Sequence, residues 1–299
     1  MNAQPLEPTA TTAPRVSLSD LLDLLDLRPS APDVWEAEAQ QHPQDRVFGG
    51  LLLAQAVVAA GRTVDPAQRL VSLQADFVEG APTDRPLQWS IDRISDATSL
   101  STRRSRLVGG GGQELFSAVT RWATVRADLP SYSPARPADA PPPEELPGLV
   151  DRFGDDERIP AWWRIERPVH VRHAVEPPYV EGADRGDRQT IFFRATAPLP
   201  QDRVVREALL AYVTDMSILE PAFLALGSAR HLPGARILSL THSLTYHTDS
   251  NLEEWHQVDC RVSAIARGRA HGVAEVFDAS GRHVATVGQL GLVKTPPMS

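Results

Sequence analysis

Leu18, Leu21, Leu22 and Leu25 recur at helical spacing between Ser17 and Leu27, while Asp20, Asp23 and Asp26 fall off that stripe. The spacing predicts an amphipathic helix with Ser17 or Ser19 as its cap, and it makes the three acids a solvated face rather than a cation site. Residues 1–16 carry no such pattern, and their polar, Pro- and Thr-rich composition predicts disorder. Gly50–Gly61 (GLLLAQAVVAAG) reads as a buried helix rich in Ala and Leu, and Val204–Leu219 (VVREALLAYVTDMSIL) reads the same way. Strand-like segments follow each helix. After the first they lie near Leu70–Val78, Leu87–Ile94, Leu100–Val108 and Gln113–Val125. After the second they lie near Ile237–His247, Glu254–Ile265, Ala270–Phe277 and His283–Val293.

Alternation sorts the faces of these strands. Val71, Leu73, Ala75 and Phe77 form one apolar face, with Ser72, Gln74 and Asp76 opposite. Leu238, Leu240, Leu244 and Tyr246 share a face in the second copy, with Ser239, Thr241, Ser243 and Thr245 on the other. A face with four hydroxyls either meets solvent or lines a polar pocket.

The repeated order of helix and antiparallel strands, with LVSL at Leu70–Leu73 and ILSL at Ile237–Leu240, predicts an α+β protein built by tandem duplication. Between the copies, Pro130, Pro134, Pro137, Pro141, Pro142, Pro143 and Pro147 each remove a donor and fix φ. Neither a helix nor a central strand can run through them. The chain therefore divides into a first unit at 17–126, a Pro-rich linker at 127–160 and a second unit at 161–297.

Composition narrows the chemistry. The length of 299 residues suits two domains, and 42% hydrophobic against 23% charged residues allows a real core. A net charge of −8 argues against a nucleic-acid backbone as partner. Lys294 is the only lysine, so there is no phosphate-loop lysine and no mid-chain Schiff-base lysine. Cys260 is the only cysteine, which excludes an internal disulfide and any multi-Cys metal site and fits a reducing compartment. The longest apolar stretch, near Phe48–Gly61, is too short to span a bilayer. No basic segment followed by an apolar one stands at the N-terminus, so a cytoplasmic location is expected.

Asp215 is the one charged residue from Ala208 to Leu219, in a segment apolar almost all round. As a helix, that segment puts Asp215 in a stripe with Ala208, Ala211 and Ile218, and matching Leu209–Leu210 to Leu52–Leu53 puts Val58 at its place in the first copy. A buried carboxylate needs partners or a raised pKa; the alternative is a surface Asp at a helix margin. No G-x-S-x-G elbow or H-E-x-x-H motif is present, and Gly109–Gly112 reads as a hairpin turn. His170 and His173, and likewise His242 and His247, are separated by odd numbers in strands and face opposite ways.

Several motifs together resemble one family. Val47–Ala56 (VFGGLLLAQA), Ser99–Arg104 (SLSTRR), Ala211–Leu219 (AYVTDMSIL), Asn251–Trp255 (NLEEW) and Ala285–Gly291 (ATVGQLG) stand in the order of the corresponding segments of the acyl-CoA thioesterase II family, the double hot-dog thioesterases. The resemblance covers roughly Leu18 to Lys294. It implies two hot-dog units in tandem, each a long helix wrapped by an antiparallel sheet, and hydrolysis of acyl-CoA. It implies a catalytic trio of Asp215, Ser239 and Gln289, with Ser239 where many members have Thr. It points to a backbone N–H near Gly49 and Gly50 as the donor to the thioester carbonyl. Gln74 stands where many members have His, Tyr246–Ser250 (YHTDS) departs from the usual segment before Trp255, and Leu290 replaces a Glu.

Gln74 is therefore expected at the rim of the site. Arg103 and Arg104 alternate faces, so at most one points inward; an outward one could meet the phosphates of coenzyme A, with Arg103 as the candidate, and a solvated or structural arginine is the favoured alternative. No metal and no cofactor are expected, and self-association into a dimer or higher homo-oligomer is. A thioester leaves as a thiolate, so an activated water suffices: Asp215 as general base, Ser239 and Gln289 orienting the water. Three alternatives stay open: a hot-dog enoyl-CoA hydratase or dehydratase, a non-catalytic acyl-CoA-binding relic, and Ser239 as a covalent nucleophile.

Overall fold

The computed structural model describes residues 17–40, 45–160, 163, 167–181 and 186–296. The N-terminal segment expected to be disordered lies outside them. Helix α1 (Leu18–Leu24) begins in a capping box, with Ser17 Oγ accepting from Asp20 N–H and Asp20 accepting from Ser17 N–H. Its Leu18 and Leu21, with Leu25 beyond its end, are buried, and its acids are exposed. A hairpin that sequence patterning missed follows, β1 (Arg28–Ala31) and β2 (Val34–Ala37). Then come α2 (Gly49–Gly61), β3 (Gln68–Phe77), β4 (Leu87–Ala97), β5 (Leu100–Val108) and β6 (Glu114–Thr124).

The Pro-rich segment carries a short 3-10 turn at Pro143–Glu145 and a short helix, α3 (Leu149–Phe153). It is tied to the second half by Gln257 Nε2 donating to Pro137 O at 3.2 Å and His283 N–H donating to Ser133 Oγ at 3.2 Å. The second half contains β7 (Val169–His173), β8 (Arg188–Ala195), α4 (Arg203–Thr214), α5 (Pro221–Ala225), β9 (Arg236–Tyr246), β10 (His256–Ala266), β11 (Arg269–Phe277) and β12 (His283–Lys294).

All twelve strands join one antiparallel sheet in the order β1-β2-β4-β5-β6-β3-β9-β12-β11-β10-β8-β7. The halves meet at β3 and β9, where Leu73 lies opposite Leu244 and Ala75 opposite His242. Outward from that seam the equivalent strands follow in the same order: β6 and β12, β5 and β11, β4 and β10, β2 and β8, β1 and β7. This is a tandem hot-dog α+β fold. Helix α2 packs against β3, β4, β5 and β6, and α4 packs against α2, so the two long helices lie together inside the curved sheet. Gln55, fully buried on α2, donates to Leu24 O and Glu38 O and accepts from Trp89 Nε1, fixing the helix to the hairpin and the sheet.

Two irregularities position the site. Val71 is the extra residue where β3 meets β6, and Leu240 is the extra residue where β9 meets β12. A bulge shifts the alternation of side chains by one position. Ser239 therefore leaves the face of Thr241, Ser243 and Thr245, where unbroken alternation had put it, and joins the inner face with His242 and Leu244. Superposing the two bulges matches Leu70 to Ser239, Leu73 to His242 and Thr120 to Gln289, so the LVSL and ILSL strings are out of structural register.

The second irregularity is a helix end. The apolar run to Leu219 predicts a continuous helix, but α4 stops at Thr214, whose hydroxyl donates to Ala211 O at 2.9 Å. Asp215 is the C-cap, and a tight turn leads into α5. Asp215 is thus at a helix end and not in a mid-helix stripe.

Candidate active site

Helix α2 begins at Gly49 with Phe48 at its N-cap and no side-chain cap. Its first N–H groups need partners, and the positive end of its dipole favours an anion. Asp215, delivered by the end of α4, supplies that anion: Gly50 N–H donates to its carboxylate. Absence of Ser, Thr, Asp or Asn before Gly49 is the sequence signal that a cap comes from elsewhere. Gly50 is required where it stands, because an added Cβ would lie 2.5 Å from Tyr212 O on α4.

Asp215 Oδ1 accepts from Gln289 Nε2 at 2.9 Å and from Ser239 Oγ at 3.2 Å. The second Nε2 hydrogen of Gln289 goes to Ser239 Oγ at 2.7 Å, closing a ring of three side chains. Gln289 Oε1 faces His242 Nδ1 at 2.8 Å, and His242 Nε2 lies 3.1 Å from Thr214 Oγ1. Burial raises the Asp215 pKa from 3.8 to about 6, against the lowering effect of bonds from Gln289 and Ser239, the charge of Arg230 and the Gly50 N–H.

The group opens onto a cavity of about 870 Å³, within the range of small-molecule sites. Gly49 and Phe77 of the first half and Asp215, Ser239 and Gln289 of the second line it. Part of the wall is apolar, with Leu52, Tyr212 and Leu219, and part is charged. In that part Arg230 lies 4.4 Å from the Trp163 ring centre and donates to the buried Glu220 at 2.9 Å. Sequence reasoning missed this second part, and it missed His242, which shares a face with Ser239 only because of the bulge.

Two expected residues lie elsewhere. Gln74 is exposed on the outer face of β3 and does not line the cavity, because alternation turns it away from Leu73 and Ala75. Gln74→Ala is expected to leave KM and acyl preference unchanged in a chain-length series. Arg103 is 1% exposed and structural. Its guanidinium donates to Thr63 Oγ1, Thr63 O, Ser95 O, Thr102 O and Asp96 Oδ1, joining the end of α2 to the β4–β5 hairpin. Arg103→Leu should destabilise the fold by roughly 2–3 kcal/mol without changing KM, as thermal melts and kinetics of the folded fraction would read. Arg104 points outward to Glu114 at 3.0 Å.

Two family models match in tandem, the acyl-CoA thioesterase N-terminal domain over 38–124 and the acyl-CoA thioesterase C-terminal domain over 134–293. The chain belongs to the acyl-CoA thioesterase family. Acyl-CoA thioester hydrolysis is the activity that membership carries. Mouse acyl-coenzyme A thioesterase 8 is 24% identical over 91% of this chain and 88% of its own length. Acyl-CoA thioesterase 2 of Haemophilus influenzae is 21% identical over 87% of this chain and 92% of its own. Among solved structures, the acyl-CoA thioesterase II TesB2 of Mycobacterium marinum superposes with a TM-score of 0.73 at 28% identity, covering 92% of this chain and 98% of that one. A hot-dog protein from Alicyclobacillus acidocaldarius gives 0.75 at 18% identity and speaks for the fold alone. Among the described residues no helix is long and apolar enough to cross a membrane, and no cluster of His, Cys, Asp and Glu could hold a metal ion.

Proposed function

We propose that this acyl-CoA thioesterase acts by direct attack of water, with Asp215 as general base and Ser239 and Gln289 holding the water. The observation that carries the reading is the ring of hydrogen bonds on Asp215 Oδ1 at the cavity wall, beside the first turn of α2. The water oxygen bonds to the thioester carbon as Asp215 takes its proton. The carbonyl oxygen gathers negative charge, which the N-terminal end of α2 near Gly49 favours. The C–S bond then breaks, and coenzyme A leaves as a thiolate whose parent thiol titrates near ~8.5, so no strong general acid is needed.

His242 bonds Gln289 and Thr214 rather than Asp215, which supports the water-holding trio over an Asp/His pair at this position. Incubation with short, medium and long acyl-CoAs and a thiol-reactive dye should release one thiol per free acid formed. A hydrated enoyl-CoA without thiol release would make the chain a hydratase, and acyl-CoA recovered intact would make it a binding relic. Detection of an acylated Ser239 by mass after quenching would replace direct attack with a covalent route.

The base must be ionised, so kcat/KM is expected to rise with pH through about 6 and level off above it. A rate that falls across that range would remove Asp215 from the role. The proposal includes the division into units at 17–126 and 161–297 with the 127–160 linker between them. It also includes a dimer or higher homo-oligomer, measurable by light scattering, and a cytoplasmic location, which cell fractionation would test. The buried single cysteine, Cys260, suits that compartment.

A further inference from the structure

His242 sits on β9 directly opposite Gln289 on β12, and its side chain is 1% exposed. Gln289 Oε1 is an acceptor only, so the hydrogen in the 2.8 Å contact belongs to His242 Nδ1. Burial lowers the imidazole pKa to about 4, so the ring is neutral at ordinary pH. A neutral ring that donates from Nδ1 must accept at Nε2, and the Thr214 hydroxyl lies there at 3.1 Å, its one hydrogen shared between Nε2 and Ala211 O in a three-centre bond. Thr214 is the last residue of α4 and the neighbour of Asp215. The imidazole therefore spans from the helix end that delivers the base to the amide that holds it.

The two ends of the Gln289 amide have opposite polarity. With Oε1 on His242, both Nε2 hydrogens point at Asp215 and Ser239. Rotated by half a turn, the amide would set its oxygen against the Asp215 carboxylate and lose both bonds. The Asp215 carboxylate opposes that rotation from one end, and the His242 N–H opposes it from the other, because a rotated amide would meet that donor with another donor. In the first unit Leu73 and Thr120 occupy the matching places on β3 and β6. Only the unit with the carboxylate has the pair.

We propose that His242 is a positioning residue for the hydrolysis, locking the orientation of the Gln289 amide through its Nδ1–H tautomer. The proposal rests on the water-holding role given to Gln289 above. His242→Asn can place a side-chain N–H close to where Nδ1 stands, whereas His242→Leu cannot. His242→Leu should lower kcat by about 10- to 100-fold with KM little changed, while His242→Asn keeps most of the activity. In a Gln289→Ala background, His242→Leu should add nothing further.

Equal losses in the Asn and Leu variants, or losses that multiply with Gln289→Ala, would overturn the proposal. Full activity in His242→Leu alongside a damaged Gln289→Ala would overturn it while leaving the water mechanism intact. Full activity in Gln289→Ala would overturn both. Should His242→Leu fail to fold, the tautomer is readable in the unmutated protein by ¹⁵N NMR of labelled histidine, with the His242 signals assigned through His242→Asn. A ring protonated at Nδ1 is the expected result, and one protonated at Nε2 would overturn the proposal.

Discussion

Asp215→Asn is expected to lower kcat by ~10²–10⁴-fold while acyl-CoA binding persists. Asn keeps an Oδ1 that can accept from Gln289 Nε2 and Ser239 Oγ, so the ring of side chains survives in shape. What disappears is basicity. The water loses its proton acceptor, and no other carboxylate touches Ser239 or Gln289 among their described hydrogen bonds. Ser239→Ala and Gln289→Ala should each lower kcat less, and either one combined with Asp215→Asn should be little worse than Asp215→Asn alone, because all three act on one water.

The same substitution should change the pH dependence of stability. Asp215 has its pKa raised on folding, from 3.8 to about 6. Its contribution to stability is therefore fully present below the unfolded value and is lost as pH rises through about 6. The full difference corresponds to roughly 3 kcal/mol. Asn carries no such burden, although its NH₂ meets the Gly50 N–H poorly and gives part of the gain back. The melting temperature of Asp215→Asn relative to wild type should thus climb between pH 4 and pH 7 and then level. A relative melting temperature that falls over that interval would show that the carboxylate is not the enclosed, desolvated group described here.

Sequence pattern made most of the fold legible. Helix α2 has long apolar runs and a glycine at each end, and β5 was bounded to the residue because Gly109–Gly112 ends it. Asp215 stands out by its lone charge in an apolar run, but its place beside Ser239 and Gln289 was legible only through family resemblance, for two physical reasons. Periodicity cannot see the end of α4, since Met216, Ile218 and Leu219 continue the apolar run although Thr214 and Asp215 have already closed the helix. Alternation cannot see the bulge at Leu240, since one unpaired residue reverses the face of everything before it. Those two features bring Asp215, Ser239 and His242 together. The rim role of Gln74 and the coenzyme A role of Arg103 came from the resemblance, and strand direction sent one to solvent and the other beneath a hairpin, where the structural alternative for Arg103 holds.

The first turn of α2 should be where small additions do the most damage, and its two glycines should fail differently. A Cβ on Gly50 would meet the Phe48 ring and lie 2.5 Å from Tyr212 O. The carbonyl is backbone of α4, so relief requires the two long helices to separate. Overpacking of this kind usually costs ~1–3 kcal/mol, and moving α2 also breaks the Gly50 N–H bond to Asp215, so Gly50→Ala should sit at the top of that range or above it. A Cβ on Gly49 would instead lie 2.7 Å from Asp215 Oδ2 and 2.9 Å from the Phe77 ring. Phe77 is a half-buried side chain that can turn aside, whereas the carboxylate is held by Gln289, Ser239 and Gly50 and must shift as a unit. A displacement near 1 Å at a reacting group can cost ~10²-fold, so Gly49→Ala should lose about that much kcat with a melting temperature close to wild type. Gly50→Ala should lose several degrees of melting temperature first. If Gly49→Ala melts as early as Gly50→Ala, the carboxylate is not the element that meets the methyl. If both retain full activity, the helix end does not face the reacting thioester.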